Sequence, residues 1–160
     1  MLPAHPLREG RVTIGQSPSR VFSLLNERLL LRRIPGHHSA IPYAVFDPAT
    51  SNMQISTAGK PAPFLLGGND CGILKVAGIP PGLFSAAVYD EIIVELQPGD
   101  SIFFCTDGLT EARSQDDREF ELEGVPEICK SNLTASPIEL LGLVFAAIEN
   151  FTAAASNGMI

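Results

Sequence analysis

The chain has 160 residues, enough for one domain, and its 45% hydrophobic and 18% charged residues with 14 Gly and 13 Pro exclude a disordered chain and point to a globular, turn-rich one. A net charge of -7 counts against nucleic acid as a partner, because affinity for a polyanion comes largely from Lys and Arg neutralising phosphates. Three scattered cysteines, no apolar run near the ~20 residues of a membrane span and no signal-peptide h-region within 1–10 lead to the expectation of a cytoplasmic protein with no membrane association.

In chain order, Ser17-Pro18 reads as an N-cap followed by a proline at the first helical position, and Val21, Phe22, Leu24, Leu25 and Leu29 recur at helical spacing, so a helix is expected over 18–31. Arg28, Arg32 and Arg33 cluster at its end, where cations suit the macrodipole; a docking patch for an acidic partner is the other reading. Strand-like runs then alternate with turn residues: 43–46 and 53–57 as one hairpin, 63–66 and 73–76 as a second across Gly67-Gly68-Asn69-Asp70. A third hairpin is expected from 91–96 and 101–105, joined by Gln97-Pro98-Gly99-Asp100. A short helix is expected near 123–130. Ser136-Pro137-Ile138-Glu139 is a capping box opening a helix over 137–151, with Ile138, Leu141, Phe145, Ile148 and Phe151 as its apolar stripe. The fold class expected is α+β, antiparallel sheet flanked by helices, in a single unit over 1–160.

The chemistry is concentrated in one place. Ile102-Phe103-Phe104-Cys105 is an apolar run expected to be buried on both faces, and it delivers Thr106-Asp107-Gly108 where the strand emerges. A carboxylate so held suits a hard cation such as Mg²⁺ or Mn²⁺, and Gly108 leaves room for a ligand beside it. The residues alone also allow a plainer reading, in which Asp107 caps a short helical turn through Leu109-Thr110-Glu111-Ala112 with its carboxylate on backbone amides.

Residues 99–113, with Gly99-Asp100 and Thr106-Asp107-Gly108-Leu109-Thr110-Glu111-Ala112, resemble the PGD…TDGLTEA signature of the SpoIIE/RsbU-type serine/threonine phosphatases of the PPM superfamily. Further matches lie upstream in order. Asp47-Pro48-Ala49-Thr50 is similar to the family's DP-x-T turn, Ala58-Gly59-Lys60-Pro61-Ala62-Pro63 to its AGH-x-PP segment, and Gly78-Ile79-Pro80-Pro81-Gly82-Leu83 to its G-x-P-x-GL loop. The resemblance spans roughly 17–151. It implies an αββα sandwich, present here as an incomplete C-terminal portion, with two Mn²⁺ or Mg²⁺ ions between the sheets. It further implies Asp107 as a ligand to one ion, and as substrate a phosphorylated regulator of the anti-anti-sigma type.

The sequence departs from that pattern in its carboxylates. Neither the GD-V-S-G-H/K-G motif nor the DD-x-T motif is present, Met1-Leu2-Pro3-Ala4 looks like the residues just past the first, and Lys60 replaces the usual histidine. One carboxylate cannot neutralise and orient two divalent ions, so this chain is expected not to retain the metal pair and to be inactive alone. Asp116 and Asp117 read as a solvated turn, Asp47, Asp70, Asp90 and Asp100 as turn formers, and His5, His37 and His38 as surface-loop residues. A non-catalytic interaction module is the competing class of function, and pairing of open sheet edges between two copies, a homodimer, is a third.

Overall fold

A computed structural model describes residues 17–32, 39–59, 62–68, 70–120 and 124–153. Helix α1 (Pro18–Arg32) starts as the sequence predicts: the Ser17 carbonyl accepts the Val21 N–H at 3.0 Å. A tertiary cap is added to the local one, since the Ser19 N–H donates to Glu91 Oε2 at 2.9 Å. Strands β1 (Ile41–Asp47) and β2 (Asn52–Ala58) form an antiparallel hairpin running from Asp47 opposite Asn52 to Ile41 opposite Ala58. Asp47 closes its turn, accepting from the Ala49 N–H at 3.0 Å and the Thr50 hydroxyl at 2.9 Å.

Strands β3 (Phe64–Gly67) and β4 (Asp70–Ile73) form the second hairpin. Its return strand lies earlier than expected, at 70–73 rather than 73–76, because Gly67 pairs directly with Asp70 and only two residues turn the chain. Gly68 sits at φ 60°, a conformation glycine adopts without strain.

The third expected hairpin does not form. Strand β5 (Ile92–Glu95) pairs with β2, whereas β6 (Ser101–Phe103) pairs with β3, so the two sheets are ordered β1-β2-β5 and β4-β3-β6. The turn at 97–100 exists, with the Asp100 N–H on the Gln97 carbonyl at 2.9 Å, but it carries the chain from one sheet to the other.

Side-chain alternation then builds the layers. Ile55, Leu65, Leu74, Val76 and Val94 fill the space between the sheets. Phe64 and Leu66 point the other way, onto α3 (Gly124–Lys130) and α4 (Pro137–Ala153), where they meet Cys71, Val125, Cys129, Leu140 and Val144. On the far face, Phe22 of α1 packs with Ala58 and Tyr89. The result is α1, sheet, sheet, α3 with α4: antiparallel sheets flanked by helices.

The capping box of α4 is present, Ser136 N–H and Oγ both 2.7 Å from Glu139 Oε2. Its apolar stripe is rotated from the expected one. Leu140 and Val144 face the core with Ile148 beside them, while Ile138, Leu141 and Phe145 are exposed. The helix is apolar on nearly every side, so periodicity could not choose its buried face.

Candidate functional site

Because Phe103 lies opposite Phe64, β6 leaves its sheet at the end where β3 begins. The run expected to be buried on both faces is an edge segment instead: Ile102 packs between the sheets, Phe103 and Cys105 pack toward α3 and α4, and Phe104 is exposed. After it, Thr106 adopts an extended conformation and α2 (Asp107–Thr110) makes one helical turn, closed by the Glu111 N–H on the Asp107 carbonyl at 2.8 Å.

Asp107 thus opens a helical turn, as the plainer reading required, but its carboxylate does not cap it. The N-cap residue is Thr106, whose side chain makes no cap hydrogen bond, and Asp107 Oδ1 is buried without a hydrogen-bond partner among the described residues. Leaving a carboxylate oxygen unpaired is costly, on the order of 1–3 kcal/mol or more, so the position calls for a donor, a proton or a cation. Its negative charge does favour the amide end of α2. It also reaches Cys105: burial first, and the Asp107 charge second, push that thiol up to about 11. Gly108 lies within α2, where a Cβ would meet Thr106 Oγ1 at 3.7 Å, an ordinary van der Waals contact.

The other segments singled out by sequence converge on the end of the sandwich where β2 passes into β3. The Gly59 N–H donates to the Gly78 carbonyl at 2.7 Å, and Thr57 Oγ1 to the Val76 carbonyl at 3.2 Å. Gly78 pairs with Tyr89 in an isolated bridge, and a Cβ at Gly78 would collide with the Thr57 carbonyl oxygen. That collision explains the glycine. The 78–84 loop is fixed from α1 by Asn26, which is buried. Its Oδ1 accepts the Gly82 N–H at 2.7 Å and its Nδ2 donates to the Phe84 carbonyl at 3.0 Å. Sequence reading passed over both Asn26 and Glu91; the signal for Asn26 was a polar residue one helical turn beyond Phe22, on the face α1 buries. Glu91 is structural, its second oxygen accepting from Gln54 Nε2 at 2.9 Å.

The remaining acids are engaged elsewhere. Asp116 accepts from Ser114 Oγ at 2.6 Å and from Arg118 Nε at 2.8 Å, and these two partners hold its carboxyl below the usual aspartate range. Asp117 pairs with Arg113 at 2.6 Å and Asp70 with Lys130 at 2.9 Å. Asp100 Oδ2 accepts the Gln97 N–H at 2.9 Å, and Asp90 contributes its backbone, accepting from Ser56 Oγ at 2.6 Å. His5, His37, His38, Lys60, Arg33 and the side chain of Arg32 lie outside the described residues.

Does this donor set fit a metal pair? The unpartnered Asp107 oxygen fits one ligand position. Among the described residues, however, no group of three or more His, Cys, Asp or Glu is placed to hold an ion, and a dinuclear site needs several such oxygens. The described residues therefore do not make up a dinuclear centre. Nor, among them, is any helix long and apolar enough to cross a membrane.

No curated protein matches the sequence. Among solved structures, the chain is similar to the phosphatase domain of the cell-fate determinant SpoIIE from Bacillus subtilis, presoaked with Mn, at TM-score 0.63 and 18% identity, covering 91% of this chain and 62% of that one. It is also similar to the RsbU and RsbW domains of a Mycobacterium tuberculosis protein, at TM-score 0.67 and 22% identity, over 86% of this chain and 39% of that one. A second structure of the B. subtilis domain gives TM-score 0.56 at 14% identity, over 95% and 73%. This chain thus spans less than two thirds of the first two. The family model of stage II sporulation protein E (SpoIIE) matches residues 1–157. Together with a layered α/β architecture similar in fold to PPM phosphatase domains, that match shows that the chain belongs to the SpoIIE family.

Proposed function

We propose that this chain is part of a metal-dependent phosphoserine/phosphothreonine protein phosphatase of the cytoplasm, with Asp107 as one ligand to a Mn²⁺ or Mg²⁺ ion. The carrying observation is the buried, unpartnered Oδ1 of Asp107 just past the end of β6. Family membership supports the reaction class. The proposed substrate is a phosphorylated regulator of the anti-anti-sigma type. Because the described residues offer a single candidate ligand, the 160 residues alone are proposed to hydrolyse little or nothing.

The test is a longer chain that carries GD-V-S-G-like and DD-x-T-like segments joined to these residues. Manganese-dependent release of phosphate from a phosphoserine protein is expected, with Asp107→Asn lowering kcat by two orders of magnitude or more. Full activity in that variant would remove Asp107 from the site. A second reading, a protein-interaction module built on the same fold, is favoured by the absence of a ligand cluster among the described residues and by the exposed Ile138, Leu141 and Phe145 of α4. Metal-independent binding to the regulator, without turnover in the longer chain, would establish it.

A further inference from the structure

A single helical turn does not stand alone, because nucleating a helix fixes several residues for one hydrogen bond. What holds α2 is therefore tertiary. Leu109 packs against the core cluster on one side. On the other, the Glu111 N–H closes the turn on the Asp107 carbonyl at 2.8 Å, and the next residue, Ala112, accepts the Phe120 N–H at 2.9 Å. Between Ala112 and Phe120 the chain makes a small hairpin. Arg113 and Glu119 form an antiparallel bridge across it, and the buried Ser114 closes it, its N–H donating to the Arg118 carbonyl at 2.9 Å and its Oγ accepting the Arg118 N–H at 3.1 Å. Ion pairs of Arg113 with Asp117 and Glu119, and of Arg118 with Asp116, brace the hairpin internally. They lie largely in solvent, so each adds little, and none of them fixes where the hairpin sits.

Its placement comes from the last turn of α4. The Phe151 ring meets two side chains of the hairpin: the Arg118 guanidinium lies 5.8 Å over its centroid, and the Phe120 ring stands 5.3 Å away at 70°, an edge-to-face contact. Gln115 Nε2 donates to the Ala153 carbonyl at 3.3 Å, satisfying one of the groups that a helix end leaves unpaired. Phe120 also touches the start of α3, since a Cβ on Gly124 would lie 3.5 Å from its Cζ. Beside these contacts a hollow of about 510 Å³ is bounded by Asp117, Arg118, Glu119 and Phe151. The fastening thus borders solvent, and it can open locally while the sheets stay packed.

We propose that Phe151 is a positioning residue for Asp107: through Phe120 and Arg118 it anchors the 112–120 hairpin, and the hairpin holds the turn that carries the Asp107 carboxylate. The end of α4 and the Asp107 turn then open and close as one unit. A force or a partner that loosens the last turn of α4 would displace Asp107 without touching it. The importance of that displacement for catalysis rests on the reading of Asp107 as a metal ligand, whereas the coupling itself does not.

The experiment is amide-resolved hydrogen exchange by NMR on the 160-residue chain, without metal or substrate. Phe151→Leu keeps apolar bulk and removes the ring. Exchange at the Phe120 and Glu111 amides should quicken together, by about fivefold or more. The Ala49 amide, bonded to Asp47 Oδ1 at 3.0 Å in the β1–β2 turn of the other sheet, should keep its rate. Phe151→Tyr should restore both rates. Arg118→Met, an exposed change that leaves the core intact and decides the matter should Phe151→Leu fold poorly, should give the same pattern at about twofold. The proposal is overturned if Phe120 quickens without Glu111, if neither responds, or if Ala49 quickens by the same factor, the mark of a general loss of stability. Failure here would leave the ligand role of Asp107 to the turnover test of Asp107→Asn, and failure of that test would leave the coupling standing.

Discussion

The side-chain amide of Asn26 grips the 78–84 loop twice, accepting from the Gly82 N–H at 2.7 Å and donating to the Phe84 carbonyl at 3.0 Å. Gly82 itself sits at φ 88°, so the loop takes a path that depends on glycine at the point where the helix holds it. Asn26→Ala should destabilise the chain by about 2–3 kcal/mol, because a buried donor and a buried acceptor both lose their partner. Asn26→Asp keeps the acceptor and loses the donor, leaving its carboxylate facing the Phe84 carbonyl. Urea unfolding should find that substitution destabilising as well.

Gly78→Ala should be more damaging than its small size suggests. The added Cβ would overlap the Thr57 carbonyl oxygen and lie 2.9 Å from the Tyr89 ring, and backbone on a paired strand cannot move aside. Breaking the bridge to Tyr89 should cost about 2–4 kcal/mol, read from the shift in the denaturation midpoint. Gly68→Ala meets no neighbouring atom but sits at φ 60°, so it should lose only about 1 kcal/mol through strain.

Asp107 separates a capping role from a ligand role without any assay of turnover. A helix-capping aspartate is worth about 1 kcal/mol, and its loss would show in the melting curve. Since one Asp107 oxygen is buried without a partner, Asp107→Ala should leave stability unchanged or raise it, whereas loss of a cap would lower it by about 1 kcal/mol. A clear destabilisation would return Asp107 to a structural role.

Acidification should loosen the start of α4. The Ser136 N–H and then its hydroxyl hold Glu139 below the ordinary glutamate range. With the folded value depressed, the contribution is fully present above the unfolded glutamate pKa and is lost as pH falls through the lower folded value. Hydrogen exchange at the Ser136 amide should therefore gain protection as pH rises through that depressed folded value, and Glu139→Gln should flatten the dependence.

How much of this could be read beforehand depended on whether the cause was local. The starts of α1 and α4 were legible because Ser17-Pro18 and Ser136-Pro137-Ile138-Glu139 act within one turn of chain. The partnership of β5 and β6 was not, since the bond from the Asp100 N–H to the Gln97 carbonyl would look the same within a hairpin or between sheets. The buried face of α4 was also hidden, because Ile138 and Leu140 are equally apolar and only the position of α3 and β3 selects Leu140. Asp107 could be named from its motif. That one of its oxygens would be buried and unpaired depends on the tertiary path of β6 and α2, which no local pattern states.

The most direct test is phosphate release from a phosphoserine peptide by the 160-residue chain itself, across a manganese titration. The expected result is a rate indistinguishable from protein-free buffer at every metal concentration, because the described residues offer Asp107 as a single candidate ligand and one carboxylate cannot assemble a metal pair. Saturable, manganese-dependent turnover that disappears in Asp107→Asn would contradict the account and show that residues outside the described ones complete the site within this chain.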